Sequence, residues 1–221
     1  VSFAGSSSTL GFPRRPCVGI LVEKKFPCRE DDSRALFLYN PGMENTVFSK
    51  KGREIASRQI EMKTFEAPEG RLIIEGELRD DRAVDFTGFS GRTIPAGRFH
   101  TLRARLLVNP EGMLIEDLEV EFQDYPYVEC RDLAEKYRDL IGLTVESGFT
   151  RGILNRVGGK KGCAHLTHLL ITMGPAFVQA AFTYQTRAES PTTPSREQTR
   201  KYFVDSCYVW RSEGEHAQKH G

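Results

Sequence analysis

Apolar and polar residues alternate along the first half of the chain, and the period then lengthens. Ile60, Met62 and Thr64 are separated by charged or polar neighbours, Ala67-Pro68-Glu69-Gly70 turns the chain, and residues 72–78 run back. Arg79-Asp80-Asp81-Arg82 reads as a second polar turn ahead of a strand over residues 83–89. The clearest hairpin spans residues 100–123. Leu102, Ala104 and Leu106 alternate with Thr101, Arg103 and Arg105, Asn109-Pro110-Glu111-Gly112 makes the turn, and Leu118, Val120 and Phe122 alternate with Glu119, Glu121 and Gln123. One face of this sheet should be buried, and the other should carry cross-strand pairs of Arg103 and Arg105 with Glu119 and Glu121. The phase slips at Ile115-Glu116-Asp117, where a bulge fits.

From Pro126 the period is near 3.6. Cys130, Leu133, Ala134, Tyr137, Leu140 and Ile141 share one helical face, and Gly142 suits the position after the helix end. A short helix is expected around residues 149–157, stopped by Gly158-Gly159. A long helix begins near Cys163, with a break or kink at Gly174-Pro175. Residues 186–195 read as a polar loop, and Ser195 can cap a final segment carrying Tyr202, Phe203, Cys207 and Trp210. Residues 1–16 are Ser-, Gly- and Pro-rich and read as disordered, while 17–55 mix short apolar pieces with breaks. The predicted fold class is α+β, an antiparallel sheet of hairpins with C-terminal helices packed on one face. It forms a single domain over 17–221, β-rich over 17–123 and helical over 126–221.

Composition narrows the function. With 31 basic and 30 acidic residues in 221, the net charge of +1 gives no long-range pull toward nucleic acid or an anionic membrane. The most apolar run, 166–182, carries His168, Thr172, Gly174, Pro175 and Gln179, which suits a buried helix better than a membrane span. The opening residues show neither the charged nor the apolar region of a secretory signal. Five cysteines at irregular spacings are an odd set for a disulfide framework, so reduced thiols and a cytoplasmic address are expected. The sequence leaves open the small-molecule or protein partner and whether the chain forms a homo-oligomer.

Candidate chemistry centres on residues 158–168, Gly-Gly-Lys-Lys-Gly-Cys-Ala-His-Leu-Thr-His. A thiol at a helix start is favoured as thiolate by free N–H groups and the helix dipole. No phosphate-loop order is present, so nucleotide binding is not expected. One reading is a metal site of Cys130, Cys163, His165 and Cys207, holding zinc or an iron–sulfur cluster. Cys163 and His165 can cooperate only if Cys163 sits at the helix start, because residues two apart in a regular helix diverge. A second reading is a metal-free enzyme on a small acyl or carbonyl substrate, with Cys163 as nucleophile and His165 or His100 moving protons. The third is a binding module in which these groups are structural.

Several segments together carry a family resemblance: Arg58-Gln59-Ile60-Glu61, Glu75-Gly76-Glu77-Leu78-Arg79-Asp80, His100 before the hairpin, Pro126 to Cys130, Leu140-Ile141-Gly142, and Gly162-Cys163-Ala164-His165-Leu166. They resemble a bacterial family known only as a domain of unknown function, with the signature Gly-Cys-Thr-His-Leu; here Ala164 replaces the Thr. The resemblance covers about residues 55–210 and points to Arg58, Asp80, His100, Cys130, Cys163, His165 and Cys207, with Arg58 and Asp80 as cofactor-binding candidates. A fainter similarity is to the NifU-like and SufE-like fold of iron–sulfur assembly proteins, with Cys130 and Cys163 as its two thiols. Phe99-His100 stand where that pattern has its early cysteine.

Overall fold

The alternating half of the chain builds an antiparallel sheet in which the even-numbered residues of three strands face inward. In the computed structural model, residues 47–187 and 195–221 are described; the expectations for 1–46 and 188–194 concern residues outside that set. The chain divides after Gly52. Of the first unit only residues 47–52 are described, with one 3-10 turn at Val47–Ser49.

The second unit, Arg53–Gly221, holds strands β1 (Ala56–Ala67), β2 (Arg71–Arg82), β3 (Phe86–Thr87), β4 (Thr93–Ile94), β5 (Gly97–Asn109) and β6 (Leu114–Asp124). The main sheet has the order β1-β2-β5-β6, and β3 with β4 forms a separate small ribbon. Leu72, Ile74 and Leu78 of β2 and Leu102, Ala104, Leu106 and Val108 of β5 are buried on the inner face. On the outer face Arg103 stands opposite Glu121 and Arg105 opposite Glu119, as the alternation requires. Arg105 Nε lies 3.0 Å from Glu119, and Arg103 Nη2 lies 2.7 Å from Glu77. The exposed Arg105–Glu119 pair contributes about 0–1 kcal/mol, so it fixes register more than stability, whereas the Arg103 partner Glu77 is buried. The expected bulge is present: Leu107 pairs with Asp117 and Val108 with Ile115, leaving Glu116 extra.

Two expectations fail at the other end of β2. Arg79 to Arg82 are not a turn; they continue the strand, and Asp80 is only 1% exposed. A charged run normally marks solvent, but here the flanking strands supply partners for the carboxylate, so pairing continues. Of residues 83–89 only Phe86–Thr87 are strand.

The helical half follows the predicted order. Val128–Leu140 forms a 3-10 helix rather than an α-helix, with Tyr137 and Leu140 buried. The spacing 134, 137, 140 satisfies either period, so the sequence does not separate them. Gly142 follows with φ +83°, the left-handed turn expected there. Helix α1 is Phe149–Val157, α2 is Ala164–Thr186, α3 is Arg196–Tyr202, begun by a Ser195/Gln198 capping box, and α4 is Glu215–His220.

Helix α2 lies on the inner face through Leu166, Leu169, Leu170, Met173, Phe177 and Ala181. It is long and apolar enough to cross a membrane by length and composition alone, yet these residues are its buried face. It approaches the sheet at Gly76, where a Cβ would stand 2.8 Å from Met173 Sδ. The helix runs unbroken through Pro175. Gly174 instead makes room for Phe149, whose ring would lie 2.7 Å from a Cβ there.

Candidate metal centre

Arg58, Asp80 and His100 form one row across three strands: Arg58 is the register partner of Asp80, and Asp80 of His100. They extend the inward columns of Ile60, Leu78 and Leu102, because residues two apart share a face. Beyond His100 the register shifts, with Asp81 opposite Arg98, and Phe99 is the extra residue. Arg58 donates to Asp80 from Nε at 2.6 Å to Oδ1 and from Nη2 at 2.8 Å to Oδ2, a bidentate, charge-assisted pair. His100 Nδ1 lies 3.1 Å from Asp80 Oδ2. Burial pushes the Asp80 carboxyl up, but the Arg58 hydrogen bonds and charge outweigh it and hold it below the usual carboxylate range.

The start of α2 closes this row from above. Cys163 is its N-cap, with extended backbone (φ −84°, ψ 126°), so the condition for cooperation with His165 is met. The Tyr137 hydroxyl fixes that geometry: it accepts from the Cys163 N–H at 2.8 Å and lies 3.1 Å from the Cys163 carbonyl. Gly162 is required by space, because a Cβ would stand 2.4 Å from the Val157 carbonyl and 2.8 Å from the Tyr137 hydroxyl. The glycine-rich turn thus lets backbone and tyrosine meet.

His165 projects from the first turn of α2 onto the row. Its Nε2 is 3.7 Å from Asp80 Oδ2, its Nδ1 is 3.8 Å from Cys163 Sγ, and its ring lies 4.0 Å from that of His100. Burial pushes both imidazoles down from the ordinary histidine value. For His100 the neighbouring His165 adds to this, and the attraction of Asp80 does not overcome it. For His165 burial outweighs Asp80, and Arg58 and Arg82 act in the same direction as burial. Both rings are therefore neutral near pH 7, the form that ligates metal.

Asp80, His100 and His165 each offer one ligand atom, and these atoms lie within 4.8 Å of one another, which no other trio of acids, histidines and cysteines achieves among the described residues. The set Cys130, Cys163, His165 and Cys207 is not gathered in this way. Cys130 is half-buried, its thiol pushed up by burial. Cys163 faces the far nitrogen of His165. Cys207 is exposed, its thiol pushed down by the backbone N–H groups of Trp210 and Val209. It lines a cavity of about 620 Å³ together with Phe149, Ile171, Pro175 and Trp210, none of which belongs to the row. His168 is exposed. Sequence reasoning missed Tyr137 as the residue that holds Cys163. The row itself had a signal: 78, 80 and 82 keep the phase of the buried column, as 100 does for 102.

No curated protein and no solved structure matches the chain. One family model does, over residues 56–179, from the first residue of β1 into α2, and that span includes Arg58, Asp80, His100, Cys163 and His165. The chain therefore belongs to the family described as protein of unknown function, DUF2889.

Proposed function

We propose that Asp80, His100 and His165 bind one divalent transition-metal ion, zinc or ferrous iron, and that the centre serves metal-assisted chemistry on a small molecule. The observation that carries the reading is the convergence of these three ligand atoms at the end of the sheet's inner face. Nitrogen and oxygen ligands sit about 2.0–2.2 Å from zinc, which puts tetrahedral ligands about 3.3 Å apart. The gaps from Asp80 Oδ2, 3.1 Å to His100 Nδ1 and 3.7 Å to His165 Nε2, bracket that value. Three protein ligands leave at least one position for water or substrate, the pattern of catalytic rather than closed structural sites. Arg58 then orients the carboxylate, and Cys163 stands at the second nitrogen of His165, both outside the ligand set.

The test is zinc titration by calorimetry, with metal content measured after anaerobic purification under reducing conditions. One equivalent is expected in the wild type. His165→Ala should weaken it at least tenfold, and His165 is exposed enough for the variant to fold. Cys207→Ser and Cys130→Ser should leave zinc binding unchanged. Wild-type protein that takes up no zinc or ferrous iron, or a His165→Ala variant that binds as tightly, would refute the reading.

A second reading is favoured by one geometry, the sequence Cys163 Sγ, His165 Nδ1, His165 Nε2, Asp80 Oδ2 with gaps of 3.8 and 3.7 Å. In a metal-free protein this relay passes the thiol proton to His165 while the sulfur attacks an acyl or carbonyl carbon. Iodoacetamide labelling of Cys163 faster than a model thiol at neutral pH, lost in His165→Ala, would favour it over the metal centre.

A further inference from the structure

Arg82 lies two residues beyond Asp80 on β2 and faces the same way. Its register partners are Ala56 on β1 and Gly97 on β5, so the next row of the sheet carries one long side chain between two minimal ones. A Cβ placed on Gly97 would meet nothing within 4 Å. The Arg82 guanidinium carbon stands 5.2 Å from the centre of the Phe99 ring, and that ring meets His100 edge to face with centroids 4.8 Å apart. The two neighbouring carboxylates are taken: Asp80 by Arg58 at 2.6 Å and Asp81 by Arg98 at 2.5 Å. Among the described residues no carboxylate pairs with Arg82, whose one hydrogen bond is a 3.4 Å contact to the Asp81 carbonyl.

The charges around the centre make this arginine a selector. Asp80 and Arg58 cancel, as do Asp81 and Arg98, leaving the cation of Arg82 beside whatever the ligands hold. A divalent metal would raise the local charge further, so a neutral or cationic substrate gains nothing there and an anion gains from both. One free guanidinium, planar and bidentate, matches the two oxygens of one carboxylate, and phosphate is the competing anion that the test separates from it.

We propose that Arg82 anchors the carboxylate of a small organic substrate whose other end reaches the metal centre. This rests on the metal reading, and it names the substrate class that reading leaves open.

Cobalt-loaded protein titrated with benzoate, followed by calorimetry and by the visible cobalt spectrum, tests the assignment, with inorganic phosphate as a parallel arm. Wild type should bind benzoate, and Arg82→Ala should weaken it at least tenfold while cobalt affinity and melting temperature stay unchanged. Arg82→Gln guards against a folding defect in the alanine variant, and Arg82→Lys should recover part of the loss. Equal benzoate affinity in wild type and Arg82→Ala overturns the anchor. Phosphate binding tighter than benzoate and lost in Arg82→Ala overturns the carboxylate assignment. Protein that takes up no cobalt tells against the metal centre instead. Benzoate is then titrated into metal-free protein, where Arg82-dependent binding upholds the anchor and its absence overturns it.

Discussion

Removing one oxygen atom, by Tyr137→Phe, should weaken the whole fold measurably. Tyr137 is fully buried, and its hydroxyl lies within 3.2 Å of the Cys163 N–H, the Cys163 carbonyl and the Thr167 hydroxyl. The Thr167 proton goes to the Val157 carbonyl at 3.0 Å, so the single tyrosine proton serves the Cys163 carbonyl or Thr167 Oγ1. In the phenylalanine variant the Cys163 carbonyl keeps the Thr167 N–H at 2.9 Å, whereas the Cys163 N–H loses its acceptor. One orphaned, partly buried donor costs about 1–3 kcal/mol. At about 2–4 °C per kcal/mol for a domain of this size, the melting temperature should fall by roughly 4–8 °C near the middle of that range. Urea unfolding followed by circular dichroism gives the free energy directly, and an unchanged slope assigns the change to stability. A loss below about 0.5 kcal/mol would refute the claim that this hydroxyl holds the start of α2. Zinc affinity measured on the same variant should also fall, because His165 is carried by the turn that Tyr137 secures.

Three further outcomes follow from the same geometry. Gly162→Ala should destabilise by more than about 1–3 kcal/mol, because the methyl meets backbone at 2.4 Å rather than a yielding side chain; denaturant titration checks this. Zinc affinity should be nearly flat above about pH 6.5 and fall below it, since both histidines start from that ordinary value and are pushed lower. Affinity already halving at pH 7.5 would contradict neutral imidazoles. Stability of the metal-free protein should also fall on acidification. The histidines protonate more readily when unfolded, so their share is lost from about pH 6.5 down to their folded values. The depressed Asp80 adds a second loss at lower pH, as its ordinary carboxylate range is crossed downward. Arg58→Gln should shrink that second loss, because the folded carboxyl rises toward its unfolded value once its main partner is gone.

Much of the fold was legible because strands with one wet face announce themselves. The 100–123 hairpin, its bulge at Glu116, the helix start at Cys163 and the Ser195 cap all carry local signals of alternation or turn chemistry. The site was legible in its members and not in its grouping. Asp80 sits in a run of four charged residues that looks like a turn, and only the pairing of β2 with β1 and β5 shows it to be interior. Distances between the thiols are set by how the 3-10 segment, α2 and the C-terminal turn dock, which no local pattern encodes. Cys163 Sγ lies 3.8 Å from His165 Nδ1, the histidine nitrogen that points away from Asp80.

Gly76 has a consequence well beyond its own strand. Its missing side chain sets the clearance between sheet and α2, with Met173 and Leu169 resting where a methyl would be. His165 rides the same rod, about 12 Å from Met173 at 1.5 Å per residue. The glycine therefore works as a gauge for the gap between Asp80 and His165, which must stay near 3–4 Å for both to hold one ion. Gly76→Ala needs about 0.5–1 Å of extra room, and if the helix gives it by lifting, the ligand gap widens with it. A bare stretch of backbone, remote from any reactive group, is thus part of the tolerance to which the centre is built.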